Sequence, residues 1–338
     1  MDYREAGVDI SAAEAAKVRI KRLAQRTVNA SVLSEIGSFG GMFRPDLSSC
    51  PNPVLVASCD GVGTKIQVAR LLGIHDSVGY DLVAHSVNDI LVQGATPLFF
   101  LDYIALGKMD PELVESVVSG VARGCAEFSC PLLGGETAEM PGTYAIGDYD
   151  LAGFIVGIVD KDKALPQGVR KDDLLLGLPA NGLHTNGYSL ARRVLLETMG
   201  LAVHDHLPEL GTTVGQALLA THRAYLAALE PLIERGKVRA LAHITGGGFP
   251  GNIPRVLPAG LGARIRRGSW EVPALFRMIQ KGGDVSEQEM FRTFNMGIGM
   301  VAVVAPADLH EVEHSLERRG ETSLVIGSVV EGTGVAFE

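Results

Sequence analysis

The sequence contains few cysteines, few aromatic residues and no long hydrophobic run. Its 4 cysteines show neither a CxxC spacing nor a neighbouring histidine, so a zinc site or a disulfide framework is not indicated. Uninterrupted apolar segments are short, as at residues 97–101, whereas a membrane span needs roughly 18 apolar residues. The polar residues 1–7 do not have the pattern of a signal peptide. We therefore expect a cytoplasmic protein with reduced thiols and no membrane partner.

Positive charge is also scarce. The chain has 30 lysine and arginine residues against 39 aspartate and glutamate residues, which gives a formal net charge of -9. Nucleic-acid binding usually requires a concentrated basic surface, and no block of Lys and Arg is present. We therefore expect no nucleic-acid partner. Small anionic substrates remain compatible with this charge, because backbone amides at a helix N-terminus bind phosphate whatever the net charge.

Glycine and apolar residues are abundant. Of the 338 residues, 41 are glycine and 46% are hydrophobic, which is enough for the cores of about two domains. Helix and strand patterns alternate, which predicts a mixed α/β fold, either α/β or α+β. A charged, turn-rich segment at residues 160–172 separates two such regions. We therefore predict two α/β domains, at residues 1–165 and 166–338.

Hydrophobic periodicity predicts the main helices and strands. Strands are predicted at residues 54–59 (as a buried strand), 97–106, 132–133, 149–159, 174–178, 298–304 and 323–330. Helices are predicted at residues 12–28, 65–72, 81–93, 213–234, 270–281 and 307–319, with another from Ser189. Asp110 and Pro111 mark one further helix start, because a carboxylate caps the first turn and proline is tolerated there.

The segment from Asp60 to Lys65 follows a predicted strand and precedes a predicted helix. Gly61 and Gly63 let the backbone approach a ligand, and the N-terminus of the following helix, after Thr64, favours phosphate. Lys65 is suited to neutralising phosphate charge, and Asp60 to holding Mg²⁺. The segment is not a Walker A motif, which requires GxxxxGK[ST]. Taken alone, an ordinary strand–helix turn explains it equally well.

A predicted helix carries several polar side chains on one face about 100° wide, namely Asp81, His85, Asn88 and Asp89. Asn and Asp are poor residues for the interior of a helix, so their presence requires an explanation. A magnesium–nucleotide site provides one. A face that is merely exposed to solvent is the alternative.

The segment at residues 134–142 combines glycines with two carboxylates. Glu136 and Glu139, with two residues between them, follow a short apolar strand, and Gly135 stands beside the first. Carboxylate oxygens are ligands that Mg²⁺ prefers when it also binds substrate phosphates. The segment therefore predicts a magnesium-binding loop, with a surface turn as the alternative.

Further glycine-rich segments flank two histidines. His184 lies between two Asn-Gly steps and is suited to acid–base chemistry, although a single histidine is more often structural. Three successive glycines after His243 can expose consecutive backbone amides to an anion, with a flexible linker as the alternative. The glycine-rich residues 37–41 form either a loop that closes over a nucleotide or a mobile segment.

Taken together, these segments resemble one enzyme family. The sequence resembles aminoimidazole ribonucleotide synthetase over essentially its whole length, and the opening YREAGVDI at residues 3–10 fits as well. An isolated DGVGTK-like loop also occurs in related enzymes such as thiamine monophosphate kinase, so the full set is the specific signal. The motifs, in chain order, are DGVGTK, VNDILVQGATPLFFLDY, GGETAEMPG, HTNGYSL, HITGGGFPGNIPRVLP and EMFRTFNMGIGM.

The resemblance implies a fold and a reaction. It implies a homodimer in which N-terminal-domain strands of both subunits form a barrel, with a C-terminal α/β sandwich domain in each subunit. The N-terminal domain would bind ATP and dimerise, and the C-terminal domain would complete the active site. The implied reaction converts formylglycinamidine ribonucleotide and ATP into aminoimidazole ribonucleotide, ADP and phosphate in purine biosynthesis. The alternative is a small-molecule kinase on the same scaffold.

The resemblance also implies roles for particular residues. Mg²⁺ would be bound by Asp60, Asp89 and Glu136. The ATP site would be formed by Asp60, Gly61, Gly63, Thr64, Lys65, Asn88, Asp89, Gly135 and Glu136. The catalytic residues would be Lys21 and His184, and the substrate would be bound by Asn186, Gly246, Gly247 and Gly248. His85 departs from the pattern of the family, so its role stays open. The requirement for a monovalent cation also stays open.

Overall fold

The structure is a computed structural model, and it describes residues 7–338. Residues 3–6 of the opening motif therefore lie outside the described residues. The chain divides into two compact units, of which the first runs to Ile90 and continues over Pro97–Ile158. The second unit comprises Leu91–Thr96 and Val159–Glu338. Both units are mixed α/β, as predicted, and the functional roles predicted for residues 1–165 and 166–338 stay predictions.

The first unit contains four helices and a four-stranded sheet within the described residues. Its helices are α1 (Ile10–Ala24), α2 (Lys65–Leu72), α3 (Asp76–Leu91) and α4 (Pro111–Glu127). Its strands are β1 (Pro53–Asp60), β2 (Thr96–Leu106), β3 (Leu132–Glu139) and β4 (Tyr149–Asp160), and the sheet order is β1-β4-β2-β3. Strands β2 and β3 pair in parallel.

Capping side chains begin two of these helices. The Asp9 carboxylate accepts a hydrogen bond from the backbone N–H of Ala12, at 3.1 Å, at the start of α1. Asp110 caps α4 in the same way, and Pro111 occupies its first turn as predicted. The two helices pack together, and Arg19 pairs with Glu115 at 2.6 Å between them. The capping residues thus fix where α1 and α4 begin, and the ion pair between them contributes to their packing.

Helices α3 and α4 approach each other closely at two glycines. A Cβ atom at Gly120 would lie 1.8 Å from the carbonyl oxygen of Asp76, and one at Gly79 would lie 2.0 Å from that of Val117. Any larger residue would force the helices apart, so glycine is required at both positions. The opposite face of α3 carries polar side chains, of which Asp81, His85 and Asn88 are buried.

Two sequence predictions for the first unit are wrong in detail. Strand β1 was expected to be buried, yet it is an edge strand of the sheet and the Leu55 side chain is 65% exposed. Residues 134–139 were expected to form a loop, yet they belong to β3. Glycine usually weakens a strand, and here the parallel pairing with β2 outweighs that preference.

The second unit is built around a six-stranded sheet. Its strands are β5 (Leu174–Pro179), β6 (His206–Leu207), β7 (Thr212–Thr213), β8 (Ala240–His243), β9 (Leu261–Ile265), β10 (Ile298–Val304), β11 (Leu324–Glu331) and β12 (Val335–Phe337). The main sheet has the order β12-β9-β11-β5-β10-β8, while β6 and β7 form a separate pair. Every residue of β10 is buried, so this strand lies at the centre of the core.

Seven α-helices accompany this sheet among the described residues. They are α5 (Tyr188–Arg192), α6 (Val214–Leu218), α7 (Leu226–Glu234), α8 (Gly248–Asn252), α9 (Ala274–Gly282), α10 (Glu287–Thr293) and α11 (Leu309–Glu317). The single helix predicted at 213–234 is wrong, because the chain leaves the helix between α6 and α7. There the backbone N–H of Arg223 donates to His184 and its guanidinium donates to the Pro179 carbonyl oxygen. These tertiary hydrogen bonds compete with a continuous helix.

None of the helices among the described residues is both long enough and apolar enough to cross a membrane.

Candidate functional site

Two carboxylates and one imidazole meet in the first unit. His85 Nε2 lies 3.0 Å from Asp60 Oδ2 and 3.1 Å from Asp89 Oδ2. Asp60 is the last residue of β1, and the other two residues lie one turn apart on α3. The three ligand atoms lie within 4.8 Å of one another, an arrangement that can hold a metal ion. The structure therefore brings together Asp60 and Asp89, as predicted, and adds His85.

The electrostatics of this cluster favour a cation between the two carboxylates. Burial by itself lowers the pKa of His85, but its hydrogen bonds to Asp60 and Asp89 outweigh this effect and raise the pKa to about 9. The hydrogen bond from His85 in turn lowers the pKa of Asp60. The imidazolium therefore offsets the repulsion between two carboxylates that both face the same point. Oxygen ligands of this kind fit Mg²⁺.

The loop between β1 and α2 has the conformation expected of a ligand-binding turn. Gly63 has a positive φ of 56°, and a Cβ atom at Gly61 would lie 2.9 Å from the Leu151 carbonyl oxygen. Thr64 is the N-cap position of α2, and no side chain caps this helix end. The predicted strand–glycine–helix arrangement is thus present.

Lys65 has a different environment from the one predicted. Its ammonium group pairs with Asp81 at 2.6 Å, and both side chains are 0% exposed. A side chain in this position does not reach a phosphate, so the predicted phosphate contact is wrong for this conformation. Burial lowers the pKa of Lys65, while the Asp81 carboxylate opposes that shift. Lys65 and Asp81 together hold α2 against α3 beneath the loop. Asn88 is likewise fully buried.

A groove of about 880 Å³ lies elsewhere in the first unit. It is formed by α1, the glycine-rich residues 37–41, and strands β2 and β3. Lys21 lines this groove and pairs with Glu35 at 3.1 Å, while Gly135 and Glu136 line it from β3. Lys21 is half-exposed and therefore accessible to a ligand.

The structure separates Glu136 from the two aspartates with which it was grouped. Asp60 ends strand β1 at one edge of the sheet, and Glu136 lies on β3 at the other edge. Three strand spacings separate these edges, which corresponds to roughly 14 Å. Glu136 is not part of the Asp60–His85–Asp89 cluster. One chain alone therefore does not bring the three carboxylates together, and the role of Glu136 as a Mg²⁺ ligand stays a prediction.

Glu139, the second carboxylate of the same segment, supports the backbone. It accepts hydrogen bonds at 2.7 Å from the backbone N–H groups of Asp9 and Met109. These contacts join the start of α1 to the loop before α4. Glu139 therefore has a structural role.

Asp102 is a groove residue that sequence reasoning missed. It lies on β2 between Phe100 and Ile104, which are both fully buried, and its own side chain is 8% exposed. Burial raises the pKa of Asp102 to about 7. The sequence did contain a signal for it, because Asp102 is an acidic residue on the apolar face of a strand with alternating apolar residues. Burying a charge at such a position costs free energy.

His184 in the second unit has the contacts of a structural histidine. It is buried, its φ is 61°, and its ring stacks on His222 with 4.0 Å between ring centroids. Its Nε2 atom accepts backbone N–H groups from Asn181 at 3.3 Å and Arg223 at 3.4 Å. A ring nitrogen used in this way is not available to exchange a proton with a substrate. The structure therefore favours the structural alternative for His184.

The predicted substrate-binding loop and Asn186 do lie together. A Cβ atom at Gly246 would lie 3.4 Å from Asn186 Nδ2. Gly247 and Gly248 both have positive φ, at 93° and 57°. The Asn252 side chain donates to the carbonyl oxygen of Gly248 at 2.8 Å, which fixes this turn. The geometry is that of an ordered turn rather than a flexible linker.

Two further features of the second unit were missed. His222 and His243 share a hydrogen bond between their Nε2 atoms at 3.0 Å, within the core. The NMG segment of the last motif supports the His184 loop, because Asn295 donates to the Gly182 carbonyl oxygen at 2.9 Å. A Cβ atom at Gly299 would lie 2.5 Å from His184 Cε1. This motif therefore acts through packing.

The buried pair predicts strong energetic coupling. Lys65→Met leaves the Asp81 carboxylate buried without its counter-charge and should lower the free energy of unfolding by about 3–5 kcal/mol. The double variant Lys65→Met/Asp81→Asn removes both charges and should recover most of that loss. Urea denaturation of the two single variants and the double variant measures the coupling. Additive losses would show that the pair does not interact as described.

The pKa of Asp102 predicts a pH-dependent contribution to stability. The ordinary value is 3.8 and the folded value is about 7. The folded protein binds this proton more tightly than the unfolded chain does. The protonated Asp102 therefore contributes fully to the free energy of unfolding below about pH 4, and the contribution is lost as the pH rises to about 7. The stability of Asp102→Asn relative to the native chain should therefore rise by about 3 kcal/mol from pH 5 to pH 8, because the native chain loses about 1.4 kcal/mol per pH unit up to the folded pKa. Urea denaturation at both pH values measures this, and an equal difference at both would contradict it.

Family models match most of the chain. The model described as the AIR synthase related protein, N-terminal domain, matches residues 47–159, and that of the C-terminal domain matches residues 170–338. A phosphoribosylformylglycinamidine cyclo-ligase from Thermoanaerobacter sp. (strain X514) is 48% identical over 99% of both chains. One from Sorangium cellulosum (strain So ce56) is 51% identical over 99% of this chain and 97% of that one.

Solved structures with low sequence identity share the fold. Thiamine-monophosphate kinase from Stenotrophomonas maltophilia K279a has a TM-score of 0.69 at 18% identity, over 94% of both chains. The hydrogenase maturation protein HypE in complex with ATP has a TM-score of 0.66 at 17% identity, over 91% of this chain and 84% of that chain. With these motifs, site residues and full-length relatives, the chain belongs to the phosphoribosylformylglycinamidine cyclo-ligase (aminoimidazole ribonucleotide synthetase) family.

Proposed function

We propose that this chain is the ligase that closes the imidazole ring of aminoimidazole ribonucleotide in de novo purine biosynthesis. It uses ATP and formylglycinamidine ribonucleotide and releases ADP and phosphate. The observation that carries the proposal is the similarity to cyclo-ligases at about half identity over nearly the full chain. The paired carboxylates of Asp60 and Asp89 beside a glycine turn are consistent with it.

The chemistry requires activation of a formamide oxygen, which is a poor leaving group. Transfer of the γ-phosphoryl group of ATP to that oxygen gives a phosphorylated imidate and ADP. The amidine nitrogen then attacks the activated carbon, the C–O bond to phosphate breaks, and a proton is lost from nitrogen as the ring forms. The protein's part in such a reaction is mainly positioning and charge stabilisation.

Asp60 and Asp89 are the residues that we propose hold Mg²⁺, which supplies charge neutralisation of the ATP phosphates. The backbone of the loop at Gly61 and Gly63 approaches the nucleotide. Lys65 supports this loop from below through Asp81 and does not contact phosphate. In this proposal Asp60, Asp89 and the loop bind the ligand, while Lys65 and Asp81 hold the loop in place.

The remaining predicted residues divide between two tasks. Asn186 and the turn at Gly246, Gly247 and Gly248 are proposed to bind the phosphate of the ribonucleotide, since exposed amides of a tight turn suit an anion. Lys21 is the better candidate for active-site charge stabilisation, because it lines an open groove while His184 is buried.

The four cysteines are free thiols, which suits the reducing cytoplasm in which we place this enzyme.

Turnover with the matched substrate tests the proposal. Purified protein with Mg²⁺, ATP and formylglycinamidine ribonucleotide should release phosphate and form the aminoimidazole product together, in equal amounts. Asp60→Asn should lower kcat by about 100-fold or more, whereas the exposed control Asp284→Asn should not change it. Transfer of phosphate to a product without ring closure would instead identify a small-molecule kinase on this scaffold.

We also propose that the active form is a homodimer whose first-unit sheets pair across the interface. The apolar edge strand β1 is largely exposed, with Leu55 projecting to solvent, and a long apolar edge is a surface for strand or sheet pairing. Glu136 lies at the far edge of its own sheet. Pairing of β1 with the β3 edge of a second sheet would bring Glu136 of the partner subunit towards Asp60 and Asp89 and complete a shared barrel.

Replacing Leu55 by arginine should weaken this dimer. The charge would be buried against an apolar surface, which costs several kcal/mol unless it finds a partner. We expect the native chain to elute as a dimer in size-exclusion chromatography with light scattering, and Leu55→Arg to shift towards monomer. Leu71→Arg is the matched control, since Leu71 is also exposed but lies on α2. A native chain that is monomeric at micromolar concentration contradicts the proposal.

A further inference from the structure

The carboxyl group of Asp102 has an unusual combination of burial and access. Its side chain is 8% exposed and it lines the groove between α1, β2 and β3. Among residues 7–338, its carboxyl group receives a hydrogen bond only from its own backbone amide. Buried carboxyl groups normally find partners, because an unsatisfied polar group costs free energy. Because this carboxyl group borders the groove, it is available to a ligand that supplies a hydrogen-bond donor there.

Space for that ligand is created at Gly135 on the neighbouring strand. Asp102 and Gly135 are register partners in the parallel pairing of β2 with β3. A Cβ atom at Gly135 would lie 1.8 Å from Asp102 Oδ1, so any side chain there would displace the carboxyl group. Glycine therefore leaves Asp102 accessible from the edge of the sheet. Gly135 is itself exposed and borders the same groove.

The groove has the dimensions and lining expected for a planar heterocycle. Its volume of about 880 Å³ lies within the range of roughly 300–1,000 Å³ for small-molecule sites. Apolar walls come from Val18, Ile20 and Leu133, which suit the faces of an aromatic ring. Strand β3 is the last strand at this end of the sheet, so its outer backbone groups are directed away from β2. Such groups can recognise the edge of a base.

We propose that Asp102 is a specificity residue whose carboxyl group accepts a hydrogen bond from the exocyclic amino group of the adenine of ATP. The inference rests on the proposed use of ATP and adds the residue that selects the base. Above the pKa of about 7, where the Asp102 carboxyl group is ionised and can only accept, a keto oxygen in place of the amino group would face it with a second acceptor, so binding is compared in that pH range. Burial raises the pKa of Asp102, and the hydrogen bond from its own backbone amide opposes that shift only in part.

Equilibrium binding of two nucleotides tests this selection without turnover. Isothermal titration with ATP and with inosine triphosphate, in the presence of Mg²⁺ and without the second substrate, gives the two Kd values. We expect the native protein to bind ATP about 10- to 100-fold more tightly, which is the usual effect of leaving a buried polar group unpaired. Asp102→Asn should remove most of this preference, because its amide can donate to the keto oxygen.

Glu35→Gln is the matched control. Glu35 lines the same groove and undergoes the same acid-to-amide change, but its carboxylate is exposed and pairs with Lys21. We expect its ATP-to-inosine-triphosphate ratio to remain that of the native protein. A preference that is unchanged in Asp102→Asn, or lost equally in Glu35→Gln, overturns the inference.

A second ligand keeps the inference testable if Asp102→Asn does not fold. Purine ribonucleoside triphosphate lacks the amino group, and the native protein should bind it about tenfold or more weakly than ATP. Equal affinity would show that the amino group is not recognised. Native protein that binds neither adenine nucleotide also overturns the inference. Selective ATP binding without ring closure leaves the inference standing and removes the proposed function instead.

Discussion

The enclosure of helix α3 is the constraint on which the candidate site depends. One face of the helix packs on α4 at Gly79 and Gly120, and the opposite face carries polar side chains, of which Asp81, His85 and Asn88 are buried. Polar side chains on such a helix must be satisfied by the protein or by a ligand, because an isolated charge in an apolar interior is costly. Asp81 is satisfied by Lys65 from α2, and Asp89 shares His85 with Asp60 from β1. One buried helix thus positions the turn at residues 61–64 and the carboxylates beside it.

Much of the fold was predictable from the sequence. Regular apolar patterns, together with capping and turn residues, predicted α2, β2, α4 and β10. The Asp110–Pro111 step predicted the start of α4 that the structure shows. The helix at residues 213–234 failed because His184, more than thirty residues earlier in the chain, accepts the Arg223 amide. A long-range hydrogen bond of this kind leaves no periodic signal. The homodimeric barrel stays a prediction.

The candidate site was predictable in part, and the reasons differ from residue to residue. Asp60 and Asp89 were identified because a carboxylate at a strand end and one within a helix are locally unfavourable. Lys65 was misjudged because the sequence shows its charge but not the Asp81 side chain beneath it. Glu136 was grouped with the aspartates because strand order, which places it at the opposite edge, cannot be derived from spacing. Asp102 was overlooked because its partner position is a glycine, which has no side chain to indicate an interaction.

The backbone contact between α3 and α4 also has a dynamic consequence. Two helices that meet at glycines cannot slide along each other without driving a carbonyl oxygen into a neighbouring backbone. Local opening therefore requires separating the whole helix pair, which places these amides among the slowest to exchange their hydrogens with water. The glycine-rich residues 37–41, by contrast, are exposed at the rim of the groove. The exposed segment therefore lies where a ligand would enter the groove, whereas the helix that carries Asp89 is held by direct backbone contact.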